Sequence, residues 1–121
     1  MKKLLMGAVV VVMAATANVP IAAAGQYGAI AVGVGGWAYR EGSTMEGARM
    51  AARRACQNLG FGSCSTTTAE RSWWYFAAGW CNGMSVPYSS ASKHGWGAAN
   101  QLLHDKGSRD GYYDCVVQAN R

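Results

Sequence analysis

Ser90-Ala91-Ser92-Lys93 has the S-x-x-K spacing of a serine nucleophile served by a lysine one helical turn later. Enzymes built on that motif need a far larger two-domain body and companion motifs that this chain lacks, so the four residues read as a polar entry to a helix. His94 and His104 are candidate general bases by residue type, but they fall on one helix and its cap rather than converging. A Cys–His pair would need a free thiol. Glycan cleavage would need two convergent carboxylates. The acids are Glu41, Glu46, Glu70, Asp105, Asp110 and Asp114; Glu46 is taken by a helix cap and most of the others sit in polar loops. The residues therefore imply no catalytic set, no metal and no cofactor. The enzymatic alternative is a small cell-envelope hydrolase leaning on one of these acids or histidines.

Cys56, Cys64, Cys81 and Cys115 are the remaining reactive side chains. No C-x2-C pair occurs, and the histidines are too far apart for an H-x3-5-H arm, which disfavours zinc. An even cysteine set in a small exported domain reads as two disulfides, with three pairings open. Export is the reading of residues 1–24. Lys2 and Lys3 precede an apolar run from Leu4 to Ala17, Pro20 breaks it, and Ala22-Ala23-Ala24 offers a small-x-small cleavage site. The run is shorter than the roughly 20 residues of a membrane span, so membrane contact is expected only through this transient signal peptide. Cleavage after Ala24 leaves an exported domain over residues 25–121, secreted or periplasmic.

The whole chain has 121 residues, 14% of them charged and 50% hydrophobic. That balance excludes a disordered chain, and the 16 glycines show no three-residue period, which excludes a collagen-like rod. The formal charge is +5, and loss of Lys2 and Lys3 lowers it by two. Arg49, Arg53 and Arg54 form the densest basic cluster, which reads as a solvated helix face; nucleic acid is not an expected partner.

Elements that would position these residues follow from periodicity. Tyr27–Val34 reads as a strand with Ile30, Val32 and Val34 on one face, and Gly35-Gly36 as a two-residue turn into a second strand from Trp37. Ser43-Thr44-Met45-Glu46 is a capping-box pattern. It opens a helix with Met45, Ala48, Ala52, Ala55 and Leu59 along a buried stripe, Cys56 at its edge and Gly60 as the stop. Cys64–Thr68 is β-prone. The order then repeats: a strand Trp73–Trp80, an Asn82-Gly83 turn, a returning strand Met84–Tyr88 restricted to an edge by Pro87, a polar link Ser89–Ser92, a helix with Trp96, Ala99 and Leu103 on one face and Gly107 as its stop, and a strand from Tyr112 to Gln118. The fold class is α+β, a single small disulfide-stapled domain of two ββαβ-like units with an antiparallel sheet and helices packed on one face. Tyr39 to Cys64 and Tyr88 to Cys115 mark matching intervals of an internal duplication. The duplication favours Cys56 with Cys64, and Cys81 with Cys115.

The strand Tyr27-Gly28-Ala29-Ile30-Ala31-Val32, the aromatic hairpin Trp37-Ala38-Tyr39, the alanine-rich helix ending in Cys56, and Cys64 opening the next strand resemble the domain-of-unknown-function 4189 family of small exported bacterial proteins. The resemblance covers Gly25 to Cys81, with a looser echo to Cys115. Two departures stand out: Asn82-Gly83 follows the third cysteine where the family has small apolar residues, and the second helix lacks the cysteine that the family often carries near its end. The resemblance implies secretion and a small α/β domain, with no catalytic residues to carry over.

Aromatic residues are the strongest functional signal. Five Trp, six Tyr and two Phe are present, all beyond residue 24. Strand alternation puts Trp73 and Tyr75 on one face, and Trp74, Phe76 and Trp80 on the other. If helices cover one face of the sheet, the other stays open to a protein partner or to the flat faces of sugars. Trp73 and Tyr75, with Arg71 as a polar rim, form the expected binding face. The implied function is non-enzymatic binding, outside the cytoplasm, of a protein partner (effector, immunity or inhibitor type) or of an envelope glycan. A structural envelope protein is the further alternative.

Overall fold

Small and large side chains alternate along Tyr27–Val32, and that alternation decides which layer each face of the strand meets. The computed structural model describes residues 25–121, and of residues 118–120 the backbone alone. The expected signal peptide, residues 1–24, lies outside the described residues. Six strands and two helices follow in the order β1 (Tyr27–Val32), β2 (Trp37–Gly42), α1 (Met45–Asn58), β3 (Thr66–Arg71), β4 (Tyr75–Cys81), β5 (Val86–Ser92), α2 (Trp96–Arg109) and β6 (Val116–Asn120).

The strands form two antiparallel three-stranded sheets, in the orders β2-β1-β3 and β5-β4-β6. Each sheet has its unit's first strand in the centre, the hairpin partner on one side and the strand after the helix on the other. The ββαβ duplication is thus present as repeated topology. Ala29 and Ala31 of β1 pack with Ala48, Ala52 and Cys56 of α1. Ile30 and Val32, on the opposite face, pack with Phe76, Ala78 and Trp80 of β4. On the far side of the second sheet Ala77 packs with Ala99 and Leu103 of α2. The layers therefore run α1, first sheet, second sheet, α2. Each unit has its own sheet with its helix on one face, rather than one sheet shared by both.

The mostly alanine stripe of α1 lets the helix lie close on the first sheet; its buried residues are Ala48, Ala52 and Cys56, while Met45 and Leu59, expected along the same stripe, are exposed at the helix ends. Between the sheets the side chains are large, and fully burying one such side chain contributes roughly 1.5–3 kcal/mol. Trp80 donates its indole N–H to the Gly33 carbonyl at 2.9 Å inside this layer, and Tyr39 meets Phe76 edge-on with centroids 5.2 Å apart. Thr68 and Ser89 join hydroxyls across the sheets at 2.6 Å. Ser89 and Ser90, expected in a polar link, lie within β5 and are buried. A hydroxyl tolerates burial when a partner is supplied, and Ser90 finds one in the Ala99 carbonyl of α2.

Several local expectations shift by a few residues. The first hairpin turns through residues 33–36, with Gly33 N–H bonded to the Gly36 carbonyl at 2.8 Å, and Val34 is exposed in that turn. Thr44, not Ser43, caps α1, accepting the Gly47 N–H at 2.9 Å, while Glu46 pairs with Arg49 at 2.9 Å. Asn82 and Gly83 do make a tight turn, with φ of 54° and 67°. Helix α2 runs past Gly107 to Arg109, and Gly111 (φ 92°) takes the left-handed position after it. Tyr39 and Tyr88 are not equivalent: Tyr39 packs between the sheets and Tyr88 against the α2 layer.

Two disulfides form, Cys56–Cys64 and Cys81–Cys115, and no cysteine is free. Bridges of this kind belong to an oxidising, extracytoplasmic compartment. No helix among the described residues is long and apolar enough to cross a membrane. The two bridges are built differently. Ala31 and Gly79 both face the helix layer, so Gly33, two residues beyond Ala31, corresponds to Cys81, two beyond Gly79. Cys56 and Gly107 are each the twelfth residue of a 14-residue helix. Cysteine and glycine have exchanged places between the units. A Cβ on Gly107 would lie 2.3 Å from Cys115 Sγ and 2.7 Å from Cys81 Sγ, and one on Gly33 would lie 3.0 Å from Cys64 Sγ. Gly107 thus makes room for the second bridge, whereas a Cβ on Gly33 would meet the Phe61 carbonyl before it met the first bridge. The cysteine that the second helix lacks is supplied by its strand.

Candidate functional site

The two units are joined by residues 72–74 alone, a tight link in which Ser72 N–H bonds to the Gln26 carbonyl and Trp74 N–H to the Arg71 carbonyl. Trp74 folds inward against Phe76 and the inter-sheet layer, and its indole N–H is buried without a hydrogen-bond partner. Trp73 points outward and is 63% exposed, its ring 6.1 Å from that of Trp74 and tilted by 59°. Trp73 therefore belongs to the link and not to the strand in which its β-prone neighbours suggest it.

Strand β4 begins at Tyr75 and alternates as expected from there. Phe76, Ala78 and Trp80 face the other sheet, while Tyr75 faces the α2 side. The face opposite α2 is thus covered by the first sheet, through Ile30 and Val32, and is not open. Tyr75 remains accessible (36%) because it lies at the start of the strand, where α2 begins with Trp96. The two rings meet edge-to-face, 5.3 Å apart at 83°, a favoured aromatic geometry, and Trp96 is itself 49% exposed. Its helical spacing with Ala99 and Leu103 suggests a core position, yet Ala99 and Leu103 are fully buried and Trp96 is not. The missed signal was position: the first residue of a helix reaches past the sheet it covers.

Arg71, the expected rim cation, stacks over the Tyr27 ring at 4.8 Å, its directly opposite partner in the β1–β3 register. A matching stack closes the second unit on the first, with Arg121 over Tyr39 at 4.3 Å. Arg121 also lies 3.7 Å from Glu41, which accepts the Tyr39 hydroxyl at 3.1 Å. Burial and then the Glu41 charge push the Tyr39 hydroxyl up to about 12. Desolvation and a hydrogen bond to Asp110 do the same for Tyr88. Lys106 donates to the Ser89 carbonyl at 2.6 Å, and its ammonium is pushed below the usual lysine range, first by burial and then by Arg109.

The residues with catalytic potential are placed individually. Ser90 of the S-x-x-K run is buried and bonded to α2, and the His94 backbone N–H bonds to the Ser92 hydroxyl at 3.1 Å. Glu41, Glu46, Asp105, Asp110 and Asp114 each hold a local partner. Asp114 clamps the turn after β4, taking the Asn82 and Gly83 N–H groups at 2.9 and 3.1 Å. Among the described residues no group of three or more His, Cys, Asp or Glu is arranged to hold a metal ion. What the surface offers is rings: Trp73, the Tyr75–Trp96 pair, and Tyr113 in the segment before β6. Neither a family model nor a curated protein nor a solved structure matches this chain.

Proposed function

We propose that this is an exported, non-enzymatic binding protein that takes a protein partner or an envelope glycan outside the cytoplasm through Trp73, Tyr75 and Trp96. Residues 1–24 serve as its signal peptide, cleaved after Ala24. The observation that carries the reading is the edge-to-face Tyr75–Trp96 pair left accessible at the head of β4, while Phe76 and Trp80 of the same strand are buried. Stiff, amphipathic rings of this kind bring large contact area at low entropic cost, and they dominate binding hot spots. The two disulfides support the compartment, and the resemblance to the domain-of-unknown-function 4189 family points the same way.

The test uses oxidised protein from Gly25 onward as bait for envelope and secreted fractions, beside a Trp73→Ala, Tyr75→Ala control. Stoichiometric retention of one protein, lost with the control bait, supports a protein partner. Wall fragments retained on the same terms support the glycan. Equal retention by the two baits removes the aromatic reading.

A further inference from the structure

A second surface lies on the first unit, in elements that contribute nothing to the aromatic cluster. Helix α1 and strand β2 leave between them a surface groove of about 410 Å³, lined by Arg40, Ala51, Arg54, Ala55, Asn58 and Leu59. Its form follows from the sequence. Arg40 is two residues from Ala38 on β2 and so shares the strand face that turns toward α1. Alanine at 51 and 55 keeps the helix side low, and exposed Leu59 adds an apolar end.

Two cations face this groove. The ion pairs among the described residues are Arg49–Glu46 and Arg121–Glu41, and neither involves Arg40 or Arg54. Arg40 donates to the Tyr39 carbonyl at 2.6 Å, which fixes the guanidinium while using one donor of its five. Two guanidinium groups beside one cleft favour a carboxylate, which they bind with paired N–H donors. The backbone narrows the choice further. Among the described residues β2 is paired to β1 alone, so it is an edge strand whose outer N–H and C=O groups, the Tyr39 carbonyl held by Arg40 apart, can meet an added strand. A glycan would use the cations but not this ladder.

We infer that the α1–β2 groove binds an extended, acidic segment of a partner protein, paired to the outer edge of β2 with a carboxylate between Arg40 and Arg54. The inference does not rest on the aromatic reading. The probe is a pool of acetylated, amidated heptapeptides with a fixed central glutamate and randomised flanks, titrated to millimolar concentration into isotope-labelled protein. The same pool with glutamine at the centre is the control. Expected are backbone shifts along residues 37–42 and 51–59, slowed amide exchange in β2, and an affinity loss of about fivefold each for Arg40→Gln and Arg54→Gln, the size of an exposed charge-assisted contact. The Trp73→Ala, Tyr75→Ala protein should bind the pool unchanged. Equal binding of the glutamine pool overturns the carboxylate role. Shifts at the arginines with an acidic polysaccharide such as polygalacturonate, and none with the peptides, overturn the protein partner. Silence of these residues toward the glutamate pool overturns the site itself.

Discussion

Gly107→Ala tests the placement of the second disulfide beneath α2. A single methyl group would lie 2.3 Å from one sulfur and 2.7 Å from the other, so the bridge or the helix must shift. Such overpacking typically costs about 1–3 kcal/mol. Alanine returns about 0.5–1 kcal/mol of helix propensity, leaving a net loss centred on about 1.25 kcal/mol. For a domain of this size each kcal/mol moves the melting temperature by about 4–8 °C, so a fall of about 5–10 °C is expected in thermal unfolding of the oxidised protein. Gly97→Ala, in the first turn of the same helix, is the control. A Cβ there meets nothing within 4 Å, and the substitution should leave the melting temperature unchanged or raise it. The cycle is completed in a Cys81→Ala, Cys115→Ala background, where Gly107→Ala should turn neutral or stabilising because the obstructing sulfurs are gone. If Gly107→Ala raises the melting temperature with the bridge intact, then α2 does not sit on the bridge and the exchange of cysteine for glycine between the units loses its steric basis.

Removing each disulfide by paired alanines should cost unequal amounts. On the chain-entropy account, closing the 34-residue separation of Cys81–Cys115 contributes about 4 kcal/mol and the 8-residue separation of Cys56–Cys64 about 2.5 kcal/mol, and urea unfolding of the two variants should rank accordingly. In an ultraviolet titration of the folded protein, Tyr39 and Tyr88 should ionise near pH 12, later than the ordinary tyrosine value of 10. Their folded values exceed their unfolded ones, so the stability they contribute is complete below pH 10 and lost as pH rises toward 12. Lys106 works in the opposite sense, its burial penalty fading as pH rises toward 10.5. Glu41→Gln should bring the Tyr39 transition down and leave that of Tyr88 in place.

The repeated ββαβ order and the alanine stripe of α1 were legible because each rests on local spacing, and the two disulfide pairings followed from the repeat. Gly-rich turns, caps and alternating strands announce themselves within a few residues. The division into two sheets was not legible, because it depends on which strand edges meet, and strand patterns are the same for one sheet of six as for two of three. That division decides the fate of the aromatic run. Phe76 and Trp80 are covered by Ile30 and Val32 of the other unit, contacts that no spacing within residues 73–80 reveals. Trp73 and Tyr75 remain accessible through their place in the link and at the strand start, and Trp96 joins them because α2 begins beyond the sheet. Ser89 and Ser90 of β5 look like a polar link in sequence for a related reason: their hydroxyls are answered outside the strand, by Thr68 of the other sheet and by the Ala99 carbonyl of α2.

The cysteines pair first with second and third with fourth, and neither bridge crosses from one unit to the other. A polypeptide released N-terminus first from a ribosome or a secretion channel therefore presents each cysteine with its correct mate next in line. The first bridge can close before Cys81 has emerged, when no competing thiol is present. Oxidation in order of appearance then yields the native connectivity directly, and the slow thiol reshuffling demanded by interleaved bridges is not required.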